Sequence, residues 1–261
     1  MRILGIDAAA SAASAALVED GLVIGEECSE AGHDPRPTSA VPRANHAETL
    51  LSLIETVLRR SGRALSEVDG VAVSIGPGSF TGLRVALGTV KGFAVGWGVP
   101  VVGISTLWAN AARVRGAPGL VCSCLDARKK EVYAALFAAE NGGVRRLTED
   151  AVLSVPEMIE TSVALAAGRP LCFFGDGAVA YRALIEQGLG GAAEIRSGEG
   201  CVTIAASTAL LAERRLRARL ADPVASLVPI YLRRGQGATE AGKGDKCLKS
   251  MNKTTLTKPG P

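Results

Sequence analysis

Short apolar runs broken by glycine alternate along this chain with longer stretches whose apolar residues recur every three or four positions, the pattern of strands interleaved with helices. The most informative stretch is residues 71–107, VAVSIGPGSFTGLRVALGTVKGFAVGWGVPVVGISTL. Val71–Ile75 has the β-branched content of a covered parallel strand and is broken by Gly76, Pro77 and Gly78. A helix is predicted to start near Ser79 and run to Gly96, followed by a strand at Val101–Ile104. From Phe80 to Gly96 the only charges are Arg84 and Lys91. Phe80, Leu83, Leu87, Val90 and Ala94 form one stripe; Val85, Gly88, Gly92 and Gly96 form a second, flat one. A helix apolar on two sides needs cover on both, so one side is expected on its own sheet and the other against another protein.

A second helix is predicted over His46–Arg60, with Leu50, Leu51, Ile54, Val57 and Leu58 as its stripe and Gly62 as its stop. Asn45 is placed to cap it, with Glu48 at the third helical position as in a capping box. Ahead of it, His33–Arg43 is a polar loop holding Pro35, Pro37 and Pro42. Further helices are expected at Pro156–Ala167, Ala178–Gln187 and Ile204–Leu220, then an extended return to Tyr231 between Pro223 and Pro229.

Two segments 119 residues apart look alike. Asp7 is followed eight residues later by Ala15-Ala16-Leu17, and Asp126 at the same offset by Ala134-Ala135-Leu136. Each half then carries a strand, a Gly-x-Gly turn and a helix, at Ile75–Gly78 and at Phe174–Gly177. Two matches in the same order imply a duplication and hence an α/β fold of two related lobes, 1–110 and 111–234. Residues 235–261, rich in Lys, Gly and Thr, read as a disordered tail.

Charge and composition narrow the function. The net charge of +3 comes from the tail, where five Lys face Glu240 and Asp245; the preceding residues are balanced. Bulk charge therefore gives no reason to expect broad nucleic-acid binding, and aromatics at 4% leave little for base-stacking platforms. The six cysteines form no CxxC pair and read as reduced packing residues; His33 and His46 form no metal motif, so no metal site is expected. Asp7 interrupts the apolar start that would resemble an export signal, and glycines and Pro100 break the uncharged run 92–112. A cytoplasmic protein without membrane contact is expected. Gly76, Gly78 and Gly82 fit neither the dinucleotide fingerprint nor a P-loop, and Ser79 lacks the flanking glycines of a nucleophile elbow. The loop reads as a tight turn with close helix packing.

The duplicated Asp hairpin resembles the actin, sugar kinase and Hsp70 superfamily. The ordered segments LGIDAAASAASAAL, NHAETLLSLIETVL, SIGPGSFTGLRVALGTVKGFA, VPVVGISTL, LDARKKEVYAALF and PIYLRR are similar to the TsaB (YeaZ) family across residues 1–234. That resemblance implies a non-catalytic subunit of the bacterial machinery for threonylcarbamoyladenosine at tRNA position 37. It further implies pairing with the catalytic paralogue TsaD, with the ATPase TsaE joining, self-association when alone, and contact with tRNA only through the complex. No cofactor of its own is expected, ATP and metal belonging to the partner subunits, and no catalytic residue. Thr106 and Asn110 stand where the paralogue has a His-x-x-x-His metal pair, and Ala8-Ala9-Ala10 stand where superfamily kinases hold phosphate. Asp7 is the one candidate for a nucleotide or hydrated-magnesium contact, against its reading as a hairpin carboxylate. Asp126 with Arg128, Lys129 and Lys130 reads as a solvated turn or a tRNA-phosphate contact. The association face is expected to comprise Leu50, Ile54 and Val57 from the first helix and Phe80, Leu83, Val85, Leu87, Gly88, Gly92 and Gly96 from the second. The alternative functions are an independent ATP-dependent phosphotransferase and, third, a protease.

Overall fold

An antiparallel meander followed by parallel crossovers builds both halves of the chain, as the computed structural model shows for residues 1–29, 46–117, 119–140, 142–190 and 193–233. The proline loop at 33–43, the Asn45 cap and the tail from 235 lie outside the described residues.

In the first half, β1 (Arg2–Asp7), β2 (Ser14–Glu19) and β3 (Leu22–Cys28) form the meander, and α1 (His46–Arg60) leads to β4 (Gly70–Ser74). Then α2 (Phe80–Trp97) crosses over to β5 (Val101–Ile104), giving the order β3-β2-β1-β4-β5. A short helix, α3 (Thr106–Ala111), joins the halves. In the second half, β6 (Leu120–Asp126), β7 (Glu131–Glu140) and β8 (Gly143–Arg146) repeat the meander. The following β9 (Ala151–Ser154) pairs with β7, and α4 (Val155–Ala166) leads to β10 (Leu171–Phe174). Next come α5 (Asp176–Ala180), α6 (Arg182–Leu189) and β11 (Ala193–Arg196). The order β8-β7-β6-β10-β11, with the same antiparallel and parallel senses, repeats the first sheet. This is a two-lobed α/β arrangement in which each lobe repeats one strand order.

Close backbone approach explains the Gly-x-Gly turns in both lobes. A Cβ on Gly82 would sit 1.8 Å from the Ala8 carbonyl oxygen, and one on Gly78 would sit 2.2 Å from that of Ala9. The hairpin turn after Asp7 therefore lies directly against the start of α2, which Ser79 caps by accepting from the Gly82 N–H at 3.2 Å. In the second lobe Gly175 meets the Cys124 carbonyl the same way, at 2.4 Å.

Three expectations need correction. The helix expected over 178–187 is two pieces, divided at Tyr181, whose backbone (φ −114°, ψ 23°) leaves the helical region while its hydroxyl donates to Asp126 Oδ1. The short α3 has no counterpart among the expected helices, six residues being too few to show a period. Most consequentially, α7 (Ile204–Arg217) does not pack in the second lobe, although the duplication places 111–234 there. Its Ile204, Ala209, Ala212 and Leu216 pack with Ile3, Val18, Ala72 and Val102 on one face of the first sheet. On the other face, Leu4, Ile6, Leu17, Val71 and Val73 meet α1 and α2. Gly5 permits the α7 contact, since a Cβ there would lie 2.0 Å from the Ala205 carbonyl oxygen.

Candidate functional site

The α1–α2 layer has a buried underside and, among the described residues, an uncovered outer side. Five residues expected at the partner face, Leu50, Ile54, Val57, Leu83 and Leu87, are instead buried in the first lobe's own core. Val85 is half-buried against the same core. These are the residues with the strongest helical period, and the sheet below α1 and α2 claims them first. Phe80 is exposed, and Gly88, Gly92 and Gly96 are open, with nothing within 4 Å of a Cβ placed on any of them. The outer face also carries residues the stripe did not include: Val95, 83% exposed, Trp97, whose ring packs on Phe93 at 5.1 Å, and Leu51 on α1. Register would have found Val95, which stands three residues from Gly92 and seven from Gly88 on the same side of the helix. Glycine inside a helix costs roughly 0.5–1 kcal/mol relative to alanine, and nothing among the described residues requires these three to lack a side chain.

Between the lobes lies a cleft of about 650 Å³, lined by Ala9, Ala10 and Ser79 on one side and Asp126, Arg128 and Asp176 on the other. Asp7 closes β1 beneath it. Its carboxyl is fully buried; Oδ1 accepts from the Ala9 N–H at 3.3 Å, while Oδ2 has no hydrogen-bond partner. Burial pushes the Asp7 pKa up from 3.8 to about 6, against the opposing pull of Ser74, the Ala9 and Ala10 N–H groups and Arg113. Asp176 is also raised, chiefly by burial, and its Oδ1 accepts from the Asp126 N–H at 3.0 Å. Asp126 and Asp176 line this cleft with Arg128 and the hydroxyls of Ser11, Ser79 and Ser197, while the alanines of the hairpin turn supply no side-chain donor. The charge of Asp126 and Asp176 opposes a polyphosphate there.

Thr106 and Asn110, on α3 between the lobes, are both buried and serve as structural hydrogen-bonding groups. Thr106 Oγ1 accepts from the Gly76 N–H at 3.1 Å, tying α3 to the glycine turn. Asn110 Nδ2 donates to Ser123 Oγ at 3.0 Å and to the Phe174 carbonyl at 3.4 Å, and its Oδ1 accepts from Arg113 at 3.0 Å. Every polar atom of the Asn110 side chain is thus engaged within the chain. Among the described residues no three His, Cys, Asp or Glu side chains come together as a metal-binding group, and no helix is long and apolar enough to cross a membrane.

The TsaD family model, tRNA N6-adenosine threonylcarbamoyltransferase, matches residues 37–240. The tRNA threonylcarbamoyladenosine biosynthesis protein TsaB of Escherichia coli (strain K12) is 33% identical over 172 residues, covering 64% of this chain and 68% of that protein. Its counterpart of the same name in Bacillus subtilis (strain 168) is 26% identical over 190 residues, covering 73% and 77% respectively. The solved structure of YeaZ from Pseudomonas aeruginosa matches with a TM-score of 0.68 at 26% identity, covering 88% of this chain and 99% of that one. With its doubled sheet order, its glycine-packed hairpin and these matches, the chain belongs to the TsaB (YeaZ) family of tRNA threonylcarbamoyladenosine biosynthesis proteins, related through its domain to TsaD.

Proposed function

We propose that this chain is the non-catalytic, activating subunit of the cytoplasmic complex that transfers a threonylcarbamoyl group to N6 of adenosine 37 in ANN-decoding tRNAs. It binds the catalytic relative TsaD, and the ATPase TsaE joins that assembly; in the absence of TsaD the same face pairs two copies of this chain. ATP and metal chemistry reside in the partners, and tRNA is engaged within the complex. The observation that carries this reading is the outer face of α2, where among the described residues nothing packs on three glycines that cost helix stability, and Val95 and Trp97 lie exposed beside them. A partner helix lying close along Gly88, Gly92 and Gly96 accounts for both features. Two observations support the absence of chemistry in this subunit: Thr106 and Asn110 spend their polar atoms on internal hydrogen bonds, and Ala8, Ala9 and Ala10 give the hairpin turn after Asp7 no side-chain donor for phosphate.

The test is co-sedimentation with TsaD, followed by nucleoside mass spectrometry of tRNA from cells depleted of this chain. Gly92→Glu places a charge in the proposed interface at a cost of about 3 kcal/mol, so it is expected to abolish association and lower the modified nucleoside while the lone chain stays folded. Unchanged modification on depletion, or modification of tRNA by this chain alone with ATP, bicarbonate and threonine, would overturn the proposal.

A further inference from the structure

The turn joining β6 to β7 is built against the grain of its sequence. Arg128, Lys129 and Lys130 have φ of 66°, 56° and 60°, three consecutive non-glycine residues in the left-handed region. L-residues rarely occupy that region even singly. The turn is closed on both sides by backbone bonds, the Ala127 N–H donating to the Glu131 carbonyl at 3.0 Å and the Glu131 N–H to the Arg128 carbonyl at 3.1 Å. Glycine or asparagine would meet this geometry with little or no strain, yet the chain places three cations there, all exposed. Among the described residues the Arg128 guanidinium pairs only with Asp126, at 3.8 Å.

The last described segment links this turn to the start of α2 in the first lobe. Arg233 donates to the Ala127 carbonyl at 2.6 Å and pairs with Glu131. Two residues earlier, the Tyr231 hydroxyl accepts from Arg84 Nε at 3.0 Å, and the Tyr231 ring packs on Phe80 at 5.0 Å. The Arg84 guanidinium lies 3.9 Å from the Phe80 ring centroid. The linked surface carries five cations, Arg84, Arg128, Lys129, Lys130 and Arg233, beside Asp126 and Glu131. It also has an exposed aromatic pair under a guanidinium. Cations spaced along an edge beside stacked rings suit the phosphate backbone and unpaired bases of a folded RNA.

We infer that the β6–β7 turn and the neighbouring Arg84–Tyr231 stack form an RNA-backbone contact, through which this chain itself holds tRNA within the assembly. The inference rests on the function proposed above and assigns this subunit a share of substrate binding. The strain in the turn is then the cost of presenting three charges at a fixed place, which a looser glycine turn would not do.

The probe is an unmodified, fluorescently labelled ANN-decoding tRNA transcript, titrated against the full-length chain mixed with TsaD at salt concentrations of about 50 to 200 mM. Arg128→Gly/Lys129→Gly/Lys130→Gly removes three charges while relieving the left-handed backbone. It is expected to melt at or above the parent's temperature and to co-sediment with TsaD unchanged. Its tRNA affinity is expected to fall about tenfold or more, and the slope of log K against log salt to shrink by roughly 2. Arg214→Ala on α7 is the single-charge control, expected to leave affinity within about twofold. The five lysines of the tail are common to parent and variants, so the difference in slope isolates the turn. Equal affinity and slope for parent and triple variant overturn the inference. If the two proteins fail to co-sediment, the functional reading falls separately; the same titration on the chain alone then decides the turn, and equal slopes there overturn it too.

Discussion

Replacing Asp7 by asparagine should change how stability depends on pH, in a direction the burial of this carboxyl fixes. The folded pKa is raised from 3.8 to about 6, so between those values the folded protein binds more protons than the unfolded chain. Stability contributed at this position is therefore present at low pH and is lost as pH rises toward and through the folded value. The whole rise corresponds to about 3 kcal/mol, of which about 2 kcal/mol develops between pH 4.5 and pH 8. The asparagine side chain carries no charge, keeps an oxygen to accept from Ala9, and removes that loss. Its amide also needs a partner where Oδ2 has none, which adds a pH-independent offset and makes the slope the informative quantity. Urea unfolding of parent and variant at several pH values measures the difference directly: relative to the parent, Asp7→Asn should gain about 2 kcal/mol between pH 4.5 and pH 8. Parallel curves would show that the carboxyl is not held in the dry, half-partnered state described, and a variant that loses ground as pH rises would mean that a counter-cation stabilises the carboxylate.

Gly82→Ala should destabilise the lone chain by several kcal/mol or prevent its folding, because its Cβ would meet the Ala8 carbonyl; Gly92→Ala should stabilise it by about 0.5–1 kcal/mol while weakening association, as thermal melts and sedimentation would show. Asn110→Ala strips Arg113 of one acceptor and leaves Ser123 and the Phe174 carbonyl without their donor, a loss of about 2–3 kcal/mol read from the denaturant midpoint. Because Asp7 takes part in no chemical step under the proposed function, Asp7→Ala should leave threonylcarbamoyladenosine levels far higher than Gly92→Glu does, as nucleoside mass spectrometry would reveal.

Much of this architecture is legible because local and tertiary demands coincide. Val71–Ile75, the Gly76–Gly82 turn and the capping Ser79 each follow from short-range chemistry, and the structure uses them as a strand end, a close contact and a helix start. The duplication is readable from two Asp hairpins and two Gly-x-Gly turns because each lobe needs the same backbone approach. The division of the helix at Tyr181 is not readable, since it depends on a hydroxyl reaching Asp126, 55 residues away. The association face is half readable. Periodicity marks which residues are apolar together, but it does not say which of two apolar sides meets the protein's own sheet; Leu83 and Leu87 go inward, while Val95 and Trp97 stay out. The left-handed turn at Arg128–Lys130 leaves no trace in the sequence, which there suggests only solvated charge.

The return of α7 to the first sheet has a consequence for the order in which this protein comes into being. Residues 2–104 hold all five strands of that sheet, yet one of its faces has little cover beyond Trp108 and Ala109 of α3 until Ile204–Arg217 arrives. During synthesis the first lobe emerges early with Ile3, Val18, Ala72 and Val102 uncovered, and it waits for the entire second lobe before it can close. The α1–α2 surface proposed to recruit the partner rests on the opposite face of that same sheet. Recruitment is thereby coupled to the arrival of α7: a nascent or truncated chain that stops before it offers an unfinished support for the docking helices, and only a chain translated through Arg217 presents a firm one.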